Sequence, residues 1–301
     1  MQILTAQVAT DSKSCPRTLR KRFKTIYSRS TANFSRIFWQ NCTGGLLNHS
    51  DFFEKIANNV LIYCGDIQGI SKDRIHLSTK EEVVSDVILC GTGWVPSLQF
   101  LSDEQRRRFG LPHPLVDVTA EEKSHWEELE ATADVEVIAT FPQLANPPAH
   151  YETPATSTPY RLYRHIVPLM KPENSGIDRS IVFIGHVGVG NYFPVVECQA
   201  MWATAYIDGK LNLPSIEAQE KDVALFTTWC RRRYLSNGHE GNNMTFELIG
   251  YTDMLLADMG LCSHRKGWFK DLFAPCWARD FGGLKAEFIE KYGYHEAITS
   301  Q

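Results

Sequence analysis

The residues able to do chemistry cluster in two glycine-rich turns. Gly91-Thr92-Gly93-Trp94 follows the apolar run Ser85–Cys90, and Gly185-His186-Val187-Gly188-Val189-Gly190-Asn191-Tyr192 precedes Pro194 and a long apolar segment. Glycine lets backbone approach a ligand or a neighbouring strand closely. A glycine turn feeding a helix N-terminus offers free N–H groups and the positive end of the helix dipole. That combination suits an electron-rich ring edge or a developing anion. The contact candidates are Gly91, Thr92, Gly93 and Trp94 in the first turn, and Gly185, His186 and Asn191 in the second. Each has a plainer reading: a tight turn between strands, a satisfied turn histidine, and an asparagine that tolerates a left-handed conformation. Glu197 reads more simply as a complement to the helix N-terminus than as a catalytic group.

Familiar catalytic signatures are missing. Neither G-x-S-x-G nor H-E-x-x-H occurs. Gly185 and Gly190 have phosphate-loop spacing, but Asn191-Tyr192 stand where Lys-Ser/Thr is required. Gly188-x-Gly190 and Gly91-x-Gly93 each open a dinucleotide fingerprint, yet Phe193 and Pro96 occupy the third glycine position. The eight cysteines form no C-x-x-C pair and no metal-ligand spacing, so no metal site is predicted. This usage reads as a reduced, intracellular and cytoplasmic protein. Net charge is −4, which argues against a nucleic-acid partner, and no apolar run is long enough to span a membrane. Before Asp51 the balance reverses, with eight basic residues against the single acid Asp11. That segment reads as a solvated basic stretch, with a mitochondrial address as the alternative.

The elements that must position these turns follow from periodicity. Short strands are expected at Val60–Tyr63 and Arg74–Leu77, with a buried strand from Val83 to Cys90. Ser102–Arg108 and Glu121–Ala131 read as charged helices, and the prolines of residues 141–160 make a loop. Ser180–Ile184 reads as a second buried strand. Val195–Ile207 reads as a helix apolar nearly all round, with Pro194 in its first turn. Three helices follow, from Ile216 after the cap Ser215, from Phe246 to Met259 before Gly260, and from Leu284 to Tyr292 before Gly293. The predicted organisation is a basic segment (1–50), an α/β part (51–140), a proline-rich linker (141–180) and a strand–helix unit with a helical tail (181–301).

Taken together, these segments resemble the flavin-containing monooxygenases, in their fungal secondary-metabolism form. Asp86–Trp94 is similar to the family's second linker, an aspartate, an apolar strand and an alanine–threonine–glycine–aromatic turn, with Cys90-Gly91 departing from the alanine. Glu197-Cys198-Gln199-Ala200, Gly209 and Leu213-Pro214-Ser215 resemble the family's glutamate–x–glutamine–alanine helix and following leucine–proline. Tyr251–Leu255 and Gly260-Leu261 have counterparts too. The likeness covers roughly residues 50–295 and implies a carboxyl-terminal portion only, because the family's nucleotide-binding glycine loops lie upstream of the Gly91 turn.

The resemblance implies an α/β fold, an incomplete two-dinucleotide-binding-domain flavoprotein with a helical C-terminal region. It implies FAD and NADPH as cofactors, and oxygenation of a small organic substrate through a peroxyflavin. Gly91, Thr92, Gly93 and Trp94 would face the nucleotide part of the cofactor, with Gly185, His186 and Asn191 near the ring. Two other readings compete: a non-catalytic remnant or partner subunit lacking the nucleotide loops, and an unrelated α/β binding module. Apolar faces left uncovered would promote self-association.

Overall fold

The computed structural model describes residues 4–8, 39, 55, 58–89, 97–148, 155–170, 178–190, 192–235 and 238–294. The chain divides into two compact units, residues 1–37 with 44–97, and residues 38–43 with 98–301.

Among its described residues the first unit is mostly β-structure. Strand β1 (Leu4–Val8) pairs antiparallel with β2 (Val60–Cys64), Leu4 opposite Cys64. A three-stranded meander follows: β3 (Ile67–Ile70), β4 (Arg74–Leu77) and β5 (Glu82–Val84). Alternation along β4 turns Ile75 and Leu77 inward against Val83, Tyr63 and Ile67. The strand expected over Val83–Cys90 stops at Val84. Ser85 N–H closes onto Asp73 O at 3.0 Å and its hydroxyl donates to Val87 O at 2.7 Å, turning the chain out of the ladder. Val87 and Leu89 are exposed rather than buried. An apolar run records a preference for burial; a strand also needs a partner.

The second unit is mainly helical. Its helices are α1 (Asp103–Arg108), α2 (Ala120–Thr140), α3 (Tyr192–Ile207), α4 (Ile216–Arg233), α5 (Leu248–Asp258), α6 (Trp268–Phe273) and α7 (Leu284–Tyr292). Local chemistry sets their ends. Ser102 and Gln105 form a reciprocal capping box at α1, and the hydroxyls of Thr119 and Ser215 cap α2 and α4. Gly260 (φ +62°) and Gly293 (φ +66°) terminate α5 and α7 in the left-handed conformation. Helix α2 runs nine residues beyond the expected Ala131, to the residue before Phe141-Pro142. Its charged sequence carries little apolar periodicity, so its extent is set by packing. Val137 is buried, and Arg231 and Arg232 of α4 pair with Glu130 and Asp134 of α2 at 2.6 Å.

Ser180–Ile184 is not a ladder strand. Among the described residues its backbone tie is Phe183 N–H to Ile166 O at 2.8 Å. Ile166 belongs to a small hairpin, β6 (Leu162–Tyr163) and β7 (Val167–Pro168), inside the segment expected to be linker. At the tip Arg164 and His165 hold positive φ of 56° and 55°, an unfavourable conformation for either side chain. Arg164 is fixed there by Asp258 at 2.7 Å and Asp222 at 2.8 Å. The main core lies around α3, which buries Val195, Cys198, Gln199, Trp202 and Ala205 completely. Burial is not all round: Tyr192, Phe193 and Ile207 are exposed. Among the described residues no helix is long and apolar enough to cross a membrane.

Candidate functional site

The second glycine turn is held by three different devices. Gly185 sits at φ +81°, where only glycine is unstrained, and its N–H donates to the Gln199 Oε1 at 2.9 Å. Gln199 is fully buried in α3 and donates its Nε2 to the Tyr251 hydroxyl at 2.7 Å. Tyr251 OH donates in turn to Arg164 O at 2.6 Å, so a continuous hydrogen-bond line ties the turn to α3, α5 and the hairpin tip. Burial pushes the Tyr251 phenol far above its ordinary range, so it stays a donor at every working pH.

Gly188 and Gly190 serve a different purpose. Residues 242–245 run alongside them: Gly188 N–H donates to Asn242 O (2.9 Å), Met244 N–H to Gly188 O (2.8 Å) and Gly190 N–H to Thr245 O (3.1 Å). A Cβ on Gly190 would lie 3.0 Å from Thr245 O, so the close backbone approach favours glycine there. The Tyr192 hydroxyl closes the loop onto Val187 O. The expected row of free glycine N–H groups is therefore corrected: at Gly185, Gly188 and Gly190 the N–H groups are engaged within the chain. The fold supplies a partner for each: the Gln199 side chain for Gly185, and the backbone of residues 242–245 for Gly188 and Gly190.

What stays open among the described residues is the space in front of Gly185, where an added Cβ would meet no heavy atom within 4 Å beyond its chain neighbours. The ring of His186 packs 5.9 Å from Tyr160 and 6.2 Å from Phe183, centroid to centroid. Burial holds its pKa below the ordinary histidine value, so it is neutral at neutral pH. Ile184, Tyr192 and Phe193 are exposed on either side of the turn. The surface thus combines braced backbone, a neutral imidazole and apolar side chains. It can accept a flat, partly apolar group, and among the described residues it has no nucleophile–base pair.

Gly91, Thr92, Gly93, Trp94 and Asn191 lie outside the described residues. Periodicity missed the bracing residues Tyr251, Arg164 and Asn242. Gln199 was visible as a polar interruption in an apolar helix, and a buried amide must be hydrogen-bonded. Among the described residues no group of three His, Cys, Asp or Glu side chains is placed to hold a metal.

No protein-family model matches the chain. It is 32% identical over 259 residues to FAD-dependent monooxygenase resA of Aspergillus sclerotiorum, covering 84% of this chain and 44% of that protein. It is 31% identical over 261 residues to FAD-dependent monooxygenase rstn6 of Aspergillus nomiae, covering 85% and 45%. FAD-dependent monooxygenase DEP4 of Fusarium langsethiae is 30% identical over 258 residues, covering 84% and 44%. The chain therefore spans less than half the length of these curated relatives. Similarity at this level along most of the chain sets aside the unrelated binding module. The chain belongs to the FAD-dependent monooxygenase family, of which it represents a part.

Proposed function

We propose that this chain forms part of an FAD-dependent monooxygenase that oxygenates a small organic substrate, with the Gly185 turn facing the flavin ring. The fold it contributes to is an incomplete two-dinucleotide-binding-domain flavoprotein. The observation that supports the placement is the open space before Gly185, on a turn whose every glycine N–H is braced from behind. A flat ring can approach a residue that has no Cβ, and the bracing keeps the approach surface rigid. When bound, the flavin would supply the redox chemistry, with NADPH as reductant and O2 as the oxygen donor. The chain's own residues bind and shield. Ile184, Tyr192 and Phe193 exclude water from the ring edge, and neutral His186 adds no charge beside it. Gly91, Thr92, Gly93, Trp94 and Asn191 keep the cofactor-binding roles that the family likeness implies. No side chain need act as a nucleophile.

The test is a chimera in which this chain replaces the matching segment of the Aspergillus sclerotiorum relative. The chimera is expected to retain FAD and to oxidise NADPH. Gly185→Ala should cost only about 1–2 kcal/mol of backbone strain, leaving the protein folded, while weakening flavin retention. A folded chimera that holds no flavin, or one in which Gly185→Ala and Gly185→Val bind flavin normally, overturns the placement.

A further inference from the structure

Within the second unit a cavity of about 370 Å3 opens between the end of α2, α4 and α5. That volume lies in the range of small-molecule pockets. Its wall is mainly apolar: Val137, Leu225, Phe226, Trp229, Met244 and Met254. The rings of Phe226 and Trp229 stand side by side, 5.6 Å apart between centroids. Tyr251 also lines the cavity, but its hydroxyl is committed to Gln199 Nε2 and Arg164 O, so it adds ring surface rather than a polar group.

Gly250 is the second, independent sign. It lies inside α5, where glycine weakens a helix relative to alanine, and it lines the cavity. Its φ is not left-handed, and among the described residues an added Cβ would meet nothing within 4 Å beyond its chain neighbours and its own helix backbone. Neither a turn nor a close contact within the described chain calls for glycine there. What the missing side chain does is keep the cavity open.

The charged groups on the wall define the ligand. All three are carboxylates: Glu136, Asp222 and Glu247. Asp222 is paired with Arg164 at 2.8 Å and Glu247 with Arg233 at 3.0 Å, while Glu136 is exposed to water. An anion would face carboxylates alone. A cation would compete with arginines already in place. A neutral body meets neither cost. We propose that this cavity binds a neutral, largely apolar small molecule built on a flat ring system, which packs against the aromatic wall and uses the room left at Gly250. The site shares Tyr251 and Met244 with the bracing of the glycine turn, but the proposal does not depend on the flavin reading.

Calorimetric titration of the full chain without flavin tests this with three probes of one shape: 2-naphthylmethanol, 2-naphthylacetate and protonated 2-naphthylmethylamine. The neutral alcohol is expected to bind one per chain. The anion should bind at least tenfold more weakly, and the cation no more tightly than the alcohol. Gly250→Leu places a side chain in the cavity at a position where nothing else is displaced. It should weaken the alcohol at least tenfold without lowering the unfolding temperature, because leucine favours the helix more than glycine does. Absence of binding by the alcohol, tighter binding of either charged probe, or indifference to Gly250→Leu overturns the proposal.

Discussion

Replacing Gln199 by leucine probes the brace behind the glycine turn. Leucine nearly keeps the volume of glutamine in a fully buried position but removes both hydrogen bonds, from Gly185 N–H at 2.9 Å and to Tyr251 OH at 2.7 Å. The Gly185 N–H is then left unpaired in a half-buried turn, at about 1–2 kcal/mol. Tyr251 still donates to Arg164 O, so its loss is smaller, roughly 0.5–1 kcal/mol. The expected destabilisation is therefore about 2–3 kcal/mol, read by urea unfolding followed through tryptophan fluorescence. Tyr251→Phe alone should cost about 2 kcal/mol, because it strands Gln199 Nε2 and Arg164 O. The double variant should fall short of the sum by about 1 kcal/mol, since the shared bond is lost only once. A Gln199→Leu protein within about 0.5 kcal/mol of the parent, or strict additivity in the cycle, would refute the reasoning.

Three further outcomes are expected. Gly110 holds φ +70° and an added Cβ would sit 2.6 Å from Arg161 O, so Gly110→Ala should cost more than about 2 kcal/mol. At Gly267 (φ +81°) an added Cβ meets nothing within 4 Å among the described residues beyond its chain neighbours, and alanine there should cost only the backbone strain, about 1–2 kcal/mol; calorimetric melting compares the two. His165 is 5% exposed, and burial, reinforced by Arg164, pushes its pKa down to about 3. The unfolded chain takes up this proton below its ordinary 6.5 while the folded chain refuses it, so stability falls as pH drops from 6.5 towards about 3, by on the order of 4 kcal/mol. His165→Asn, which tolerates positive φ, should flatten that slope. The Arg232 hydrogen bond lowers the Asp134 pKa below 3.8, so its contribution is lost only in stronger acid and is separable. Finally, Phe193, Phe269 and Phe273 are 87%, 62% and 77% exposed, so light scattering should show concentration-dependent association, reduced by Phe193→Ser. A monomer at all concentrations would reject this.

What the sequence by itself determined is mostly local. Caps and terminators lie within a few residues of the helices they end, so Ser215, Gly260 and Gly293 marked boundaries that the structure keeps. Pro194 marked the first turn of α3 in the same way. The ordered motifs also pointed to the family, because sequence likeness needs no knowledge of contacts. Tertiary structure alone decided whether an apolar run becomes a strand: Val83–Cys90 and Ser180–Ile184 both read as buried strands, yet the first is paired only as far as Val84 and the second joins no ladder among the described residues. It also decided what each glycine is for. Gly185, Gly188 and Gly190 are indistinguishable in a string, yet one faces open space while Gly190 crowds Thr245 O, 55 residues away, at 3.0 Å from an added Cβ. Partners so distant along the chain leave no periodic trace. A hydrogen bond is satisfied by whatever the fold brings within reach, and that is settled only when the helices pack.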